Sequence, residues 1–196
     1  MIVFFIVKKT IEHLQLTFLS VIIAMLFATP LGVFLANCKK KKVASFFIKL
    51  SCLLQSIPPL ASMALIIVML ILINEVFKVP VTGVFTGIFV LAVYAFLIIL
   101  NYSFSARKIE KQNLSKFKIS VFILLKGIKK AVVSTVGMAT LVSLIGSGGL
   151  GDLIMQGLKN LNIMLIISGS LPAAFLGISL DLLIEHITKK LRKKVP

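Results

Sequence analysis

Three glycines near the middle of the sequence have the spacing of a nucleotide-binding loop. The stretch LIGSGGLGD, residues 144–152, places Gly146, Gly148 and Gly151 in a G-x-G-x-x-G pattern. A dinucleotide fingerprint also needs a preceding strand and an acidic residue about 20 positions later. Here the uncharged run AVVSTVGMATLVSLI precedes the motif, and Leu171 stands twenty positions after its last glycine. We therefore predict a tight re-entrant turn between helices, where glycine permits positive φ and close backbone approach. The turn residues are Gly146, Gly148, Gly149, Gly151 and Asp152.

Acidic and histidine side chains lie close together near the C-terminus. Asp181 and Glu185 are four residues apart, and His186 follows. Such a group could bind a metal ion, but Glu185 and Lys189 also have the spacing of a favourable helical ion pair. We expect the polar end of a helix there, and we expect His13 to be an interfacial residue and not a ligand. The chain has six acidic residues and two histidines without a visible nucleophile–base arrangement. We therefore predict no catalytic residue, no metal ligand and no enzyme activity.

Composition separates this chain from ordinary soluble domains. Of its 196 residues, 59% are hydrophobic and 14% are charged, and the mean hydropathy is +1.09. A soluble domain is about 45–50% apolar and about 25% charged. Five uncharged stretches are long enough to cross a bilayer as helices, since a spanning helix needs roughly 20 apolar residues. The sequence predicts an all-α integral membrane protein with a single transmembrane domain over residues 1–196. The predicted spans are 14–38, 50–74, 79–101, 131–151 and 160–183.

Positive charge is distributed unevenly along the chain. The formal net charge is +16, and 18 of the 22 lysines and arginines fall after span one, after span three and after span five. Because cytoplasmic loops carry the excess of Lys and Arg, this pattern predicts an N-terminus outside and a C-terminus in the cytoplasm. The same pattern explains the net charge without nucleic acid, which we do not expect as a partner. Residues 102–130 are predicted to form a cytoplasmic loop, with an interfacial helix leading into span four.

Two adjacent prolines interrupt the second span, in the stretch QSIPPLAS at residues 55–62. Proline disfavours α geometry in the residue before it, so the helix is predicted to break or bend there. A break at membrane depth is tolerated only against protein or a water-filled cavity. The polar residues at this point therefore either line a translocation path or belong to a kinked packing helix. The candidate path residues are Gln55, Ser56, Pro58, Pro59 and Ser62.

Several segments together resemble one known family. GMATLVSLIGSGGLGDLIMQGL, residues 137–158, is similar to the glycine-rich stretch in membrane subunits of bacterial ABC importers. The resemblance is strongest to permeases for the osmoprotectants glycine betaine, carnitine and choline, and the methionine importer permease is a more distant relative. It runs from about residue 12 to residue 190 and implies a type I importer permease bundle of about five helices. The other segments that carry it are HLQLTFLSVIIAMLFATPLGVFLA (13–36), LLQSIPPLASMAL (53–65), YAFLIILNY (94–102) and LPAAFLGISLDLLIEHI (171–187).

The resemblance also implies partners. This chain has no nucleotide-binding motif, so ATP is expected on a separate ATPase subunit and no cofactor is expected here. A second permease chain, identical or related, would complete the path, and an extracellular substrate-binding protein or domain would deliver the solute. Alternating access would then be a rocking of helix bundles around a midplane site, in the bacterial cytoplasmic membrane.

One segment departs from the family pattern. The family carries an E-A-A-x-x-x-G loop, which docks into the ATPase as a coupling helix. Here the corresponding residues 105–119 read SARKIEKQNLSKFKI, with a lysine where glycine is expected and about one helix less in length. The candidate coupling residues are Glu110, Lys111, Gln112, Asn113, Leu114 and Lys116. Four alternatives therefore stay open: an osmoprotectant permease, a permease for another small solute such as methionine, a decayed permease paralogue acting as a non-transporting membrane partner, and a passive channel.

Overall fold

The computed structural model describes residues 2–78, 80–112 and 117–194, and the regular structure within these ranges is helical. A short 3₁₀ turn at Ser143–Ile145 separates the fifth helix from the sixth. In chain order, the α-helices are α1 (Ile2–Asn37), α2 (Lys41–Gln55), α3 (Pro59–Phe77), α4 (Val84–Gln112), α5 (Phe117–Val142), α6 (Leu150–Lys159) and α7 (Ile163–Lys194).

Three of these helices are long and apolar enough to cross a membrane alone, through Phe4–Asn37, Val84–Lys111 and Ile163–Leu191. Two further helix pairs pass the same test together: α2 with α3, bent by 113°, and α5 with α6, bent by 54°. The described residues therefore provide three candidate spans, or five when each bent pair counts as one span. The upper number equals the predicted five.

The core is formed by α1, α4 and α5, which approach one another through small side chains. A Cβ built on Gly32 of α1 would lie 2.6 Å from the Cβ of Ser103 on α4, and one built on Gly127 of α5 would collide with Tyr102. Lipid is as apolar as leucine, so helices in a membrane associate mainly through such close van der Waals packing. The buried alanines of this core are Ala24, Ala28, Ala95 and Ala131.

The outer helices α3 and α7 keep most of their apolar surface outside the core. On α3, Met63 and Leu70 are buried while most neighbouring aliphatic side chains are exposed. On α7, only 6% of the most apolar stretch is buried. These faces need lipid or another chain to cover them, because large apolar surfaces are unfavourable in water.

The predicted loop at 102–130 is for the most part helical. Helix α4 continues to Gln112, and α5 begins at Phe117 and runs without interruption into the span. The expected separate interfacial helix is therefore the first part of α5. Lysine, glutamate and glutamine are good helix formers, so a helix can continue through a charged segment. The charged residues therefore indicate where a helix leaves the lipid and not where the helix ends.

Candidate functional site

The glycine-rich turn connects the bent pair α5 and α6. Gly146, Gly148 and Gly149 have φ values of 77°, 89° and 81°, in the left-handed region that glycine adopts without a steric penalty. Gly149 is the N-cap residue of α6, and Asp152 lies in the first turn of that helix. A carboxylate there is favourable because the helix N-terminus carries partial positive charge. The prediction of positive φ in a tight turn between helices therefore holds for these three glycines.

The turn is also a place of close backbone approach. A Cβ on Gly151 would collide with the carbonyl oxygen of Thr140 and would lie 2.5 Å from Ser143 Oγ, so α6 folds directly against the end of α5. On the other side, a Cβ on Gly87 of α4 would collide with Ser147. Glycine at these two positions lets the turn sit between α4 and α5.

An ion-pair cluster joins the start of α1 to the turn. The Nζ of Lys9 lies 2.9 Å from Glu12 Oε2 and 2.8 Å from Asp152 Oδ2. Glu12 Oε2 also accepts a hydrogen bond of 3.2 Å from the backbone N–H of Gly149. One lysine is thus shared by two carboxylates, and the cluster carries a formal charge of −1.

His13 lies behind this cluster and is fully buried within the described structure. Its Nε2 is 3.1 Å from the carbonyl oxygen of Val136, and its Nδ1 faces the backbone of Gly149 without a hydrogen-bond partner in the described part of the chain. The side chain is buried because α1 runs from Ile2 and packs one face against α5 and the turn. His13 therefore fixes the packing of α1 against α5.

A cavity of about 740 Å³ opens beside the cluster and the turn. Its polar lining comes from the three ion-pair residues together with Gln15 and Ser147. Its apolar wall includes Phe18, Leu16, Leu19, Ile22, Val84 and Ile88. This is the place in the described structure where charged, amide, hydroxyl and aromatic groups line one cavity.

The predicted break between α2 and α3 is present, and the helices meet there at 113°. The Gln55 side-chain amide donates two hydrogen bonds, to the carbonyl oxygens of Ser51 (3.1 Å) and Leu97 (3.0 Å). The Ser56 and Ser62 hydroxyls donate within their own turns, to Leu53 and Pro59. Pro58 is the N-cap residue of α3, and Pro59 begins that helix. The structure thus gives the Gln55 amide a packing contact with α4.

The candidate coupling residues are only partly described. Glu110 pairs with Arg107 one turn earlier at 3.0 Å, and Lys111 is exposed near the end of α4. Gln112 is the last residue of α4. Residues Asn113, Leu114 and Lys116 lie outside the described residues.

The acidic residues near the C-terminus are held by ion pairs with α5. Lys129 Nζ lies 3.0 Å from Asp181 Oδ1 and 3.0 Å from Glu185 Oε2, and Lys189 is 3.4 Å from Glu185 Oε1. Within residues 2–78, 80–112 and 117–194, no group of three or more His, Cys, Asp or Glu side chains is arranged to hold a metal ion. These side chains connect α5 to α7.

Sequence reasoning missed the residues that the fold brings to the turn, namely Lys9, Gln15 and Ser147. One signal was available for Lys9. It lies with Lys8, Glu12 and His13 in a largely apolar helix, and ionisable residues in such helices usually mark a functional site with a nearby partner. No neighbouring residue in the sequence indicated that the partner of Lys9 would be Asp152.

Comparison with known proteins supports a transport role for this architecture. No protein-family model matches the sequence. The chain is 31% identical over 200 residues to a choline transport system permease protein of Bacillus subtilis, covering 93% of this chain and 87% of the relative. It is 31% identical over 203 residues to a glycine betaine/carnitine/choline transport system permease protein of the same organism, covering 95% of this chain and 88% of the relative. A carnitine transport permease protein of Listeria monocytogenes is 26% identical over 205 residues.

Solved structures agree on the fold. The chain resembles an inward-facing structure of the MetNI methionine ABC transporter with a TM-score of 0.75 at 18% identity, covering 95% of both chains. At that identity, the likeness establishes the helical arrangement alone. Together with relatives above 30% identity over nearly the whole chain, it establishes a multi-pass membrane subunit. The chain belongs to the family of osmoprotectant transport permeases, the membrane subunits of ABC importers.

Proposed function

We propose that this chain is the permease subunit of an importer for small quaternary amines: choline, carnitine or glycine betaine. The observation that carries the proposal is the 31% identity, over 93–95% of the chain, to permeases named for these solutes. A cavity lined by carboxylates, a lysine and an aromatic ring is chemically suited to such solutes.

Other chains supply the energy for transport and complete the walls of the translocation path. ATP binds to a separate ATPase subunit, a second permease chain completes the path, and a substrate-binding protein or domain delivers the solute from outside. The lysine-rich end of the bundle faces the cytoplasm, because cytoplasmic segments carry the excess of positive charge. Alternating access is then a rigid-body rocking around the path.

The ATPase contacts the connection between α4 and α5, through Glu110, Lys111, Gln112, Asn113, Leu114 and Lys116. Helix α4 ends at Gln112 and α5 begins at Phe117, so only four residues lie between the two helices. That leaves no length for a separate coupling helix, which is consistent with a shortened, lysine-rich form of the family's coupling segment. The ATPase therefore binds directly to the end of α4 and the start of α5.

The break between α2 and α3 belongs to the path in this proposal. Gln55, Ser56, Pro58, Pro59 and Ser62 stand where a helix is interrupted in the apolar second segment, and Ser56 is exposed. Because the Gln55 amide hydrogens already bind two backbone carbonyls, its remaining contribution to the path is a carbonyl oxygen acceptor. The glycine-rich turn, through Gly146, Gly148, Gly149, Gly151 and Asp152, shapes the outer end of the path.

Two alternatives have specific support. The structural likeness to a methionine transporter favours a methionine permease, but it rests on 18% identity. The shortened connection between α4 and α5 favours a non-transporting partner of another permease. Relatives at 31% identity over nearly the whole chain support the osmoprotectant role, so we retain it.

The test is ATP-dependent uptake by the reconstituted complex. The chain is expressed with candidate ABC ATPase and substrate-binding subunits from the same organism, purified through a tag on the chain, and placed in liposomes loaded with ATP. We expect the ATPase to co-purify and labelled choline or glycine betaine to accumulate at least tenfold above liposomes loaded with a non-hydrolysable ATP analogue. Accumulation of methionine alone would establish the first alternative. Absence of the ATPase from the purified material would establish the second.

Within the same assay, Gln55→Ala separates path from packing. If Gln55 only holds α2 against α4, the variant lowers the amount of folded complex and leaves the KM for solute unchanged. A path role predicts a raised KM at equal amounts of complex. Gln156→Ala, an exposed glutamine on α6, is the matched control.

A further inference from the structure

The cavity beside the glycine-rich turn contains a polar group that the fold leaves unsatisfied. Ser147 is 2% exposed and lines the cavity, yet its Oγ has no hydrogen-bond partner among the described residues. A buried hydroxyl without a partner is unfavourable by roughly 1–3 kcal/mol, so such groups usually have a ligand or water as partner. Gln15 lines the same cavity and makes no hydrogen bond within the described residues. The wall of the cavity therefore contains one buried hydroxyl and one amide without a hydrogen-bond partner among the described residues.

The charge in the cavity is negative overall. Lys9 lies between Glu12 and Asp152, at 2.9 and 2.8 Å, so its single positive charge is spread over two carboxylates. All three side chains are partly exposed, at 15% for the lysine and 31% and 21% for the carboxylates. A cationic group entering the cavity is therefore attracted, and an anion without a cationic group is not.

The remaining wall is apolar and aromatic. Phe18 supplies a ring, and Leu19, Ile22, Val84 and Ile88 supply aliphatic surface. A quaternary ammonium has no N–H to donate, and its methyl groups are satisfied by aromatic faces and aliphatic contacts. A primary ammonium would instead need two or three hydrogen-bond acceptors, while here Glu12 Oε2 and Asp152 Oδ2 already accept from Lys9 and Gly149, which leaves the other oxygen of each carboxylate.

We propose that this cavity is a transient binding site for the solute, in which a quaternary ammonium group lies between the carboxylates and Phe18, and the solute's hydroxyl or carboxylate is bound by Ser147 and Gln15. The assignment deepens the proposed function and rests on it for the identity of the solutes. The open side of the cavity, at Phe18, Ile22 and Val84, is where a second permease chain closes it. Discrimination between choline and zwitterionic solutes then depends on position 15, where the uncharged Gln15 stands.

The test uses the purified complex in nanodiscs without ATP and measures binding of labelled choline and of labelled glycine betaine. Ser147→Ala and Gln15→Leu each remove one hydrogen bond to the solute and are expected to raise Kd about 3–10-fold. Gln15→Lys is expected to raise the Kd for choline about tenfold and that for glycine betaine less than threefold, because the new ammonium also attracts the betaine carboxylate. Ser168→Ala, at a half-buried position on α7, and Gln156→Leu, at an exposed position on α6, are the matched controls and are expected to leave both Kd values unchanged.

Failure of this site and failure of the proposed function give different results. If the wild-type complex imports choline or betaine but Ser147→Ala, Gln15→Leu and Gln15→Lys bind both solutes like the wild type, the cavity is not the site, although the function stands. If the wild-type complex imports neither solute while binding follows the expected pattern, the site stands and the transport role fails. A uniform loss of binding in the controls as well would overturn the assignment to this cavity.

Discussion

The two ends of the helix bundle handle charge in opposite ways. At the glycine-rich end, Lys9 is paired with carboxylates from two separate elements. Of the 22 lysines and arginines, 18 lie in the sequence segments that follow spans one, three and five, and among them Lys39, Lys40, Lys41 and Lys42 have no ion pair in the described part of the chain. Those four also surround the N-terminus of α2, whose first turn contains no acidic residue. Because a helix N-terminus is itself partially positive, this arrangement is unfavourable without external anions.

The difference shows at which end the chain itself supplies the counter-charges for its lysines. The glycine-rich end supplies its own counter-charges and a folded turn, so its geometry is fixed before any partner binds. In the lysine-rich segments, Arg107, Lys129 and Lys189 have carboxylate partners within the chain. The cluster Lys39–Lys42 takes counter-charges from its surroundings, which for a membrane protein include anionic lipid headgroups. Substitutions at the first end should therefore change folding and solute contacts, and those at the second should have small effects that depend on salt.

The largest effect is expected from a series of three glycines. Gly151→Val forces a side chain into the backbone of α5 and should destabilise the fold by about 3 kcal/mol or more. At Gly146 there is space for the methyl group of alanine, but the residue must keep a φ of 77°. Gly146→Ala should therefore lower the stability of the fold by about 1–2 kcal/mol. Gly137→Ala, in α5 with open space around it, should be neutral or stabilising by up to about 1 kcal/mol. Thermal unfolding of the purified variants should give this order, and a Gly151 variant as stable as the Gly137 variant would show that the turn is not tightly packed.

A smaller effect is expected at the ion-pair cluster. Lys9→Gln leaves two carboxylates close together without their shared cation, and should lower stability by about 1–2 kcal/mol. Lys8→Gln removes the same charge from an exposed neighbour and should change little. The double variant Lys9→Gln, Asp152→Asn should recover part of the loss, since one carboxylate is then neutral. If Lys9→Gln and Lys8→Gln had equal thermal stability, the ion pairs of Lys9 would not stabilise the glycine-rich end, contrary to this prediction.

The smallest effect is expected from the ion pairs between α5 and α7. Lys129→Gln removes contacts to Asp181 and Glu185 that are open to solvent, and should lower the Tm by no more than about 2 °C. Lys130→Gln is the matched control on the same helix. The difference between the two variants should shrink when 0.5 M salt is added, since exposed ion pairs are screened by salt. If a large Tm difference between the two variants persists in salt, these ion pairs stabilise the fold as the Lys9 pairs do and are not exposed pairs that salt screens.

Local rules account for much of the fold. Uncharged runs predicted helices at membrane length, the adjacent prolines predicted the break at residues 56–58, and the glycines predicted positive φ between α5 and α6. In each case, the cause lies within a few residues of the effect.

Local rules did not predict what depends on distant segments. Lys9 and Asp152 are 143 positions apart, and only the packing of α1 against the turn brings them together. The burial of His13 has the same origin, because its partner Val136 lies on α5. The helical state of residues 102–112 was missed because lysine content was taken to indicate a loop, although lysine is compatible with helix.

The contact between Gln55 and the carbonyl of Leu97 also bears on how the chain enters the membrane during synthesis. The two residues are 42 positions apart, so the ribosome must complete much of α4 before the contact can form. Until then, the Gln55 side-chain amide lacks its Leu97 acceptor, and an unpaired amide in lipid is unfavourable. This contact between α2 and α4 therefore forms only after α4 has been made.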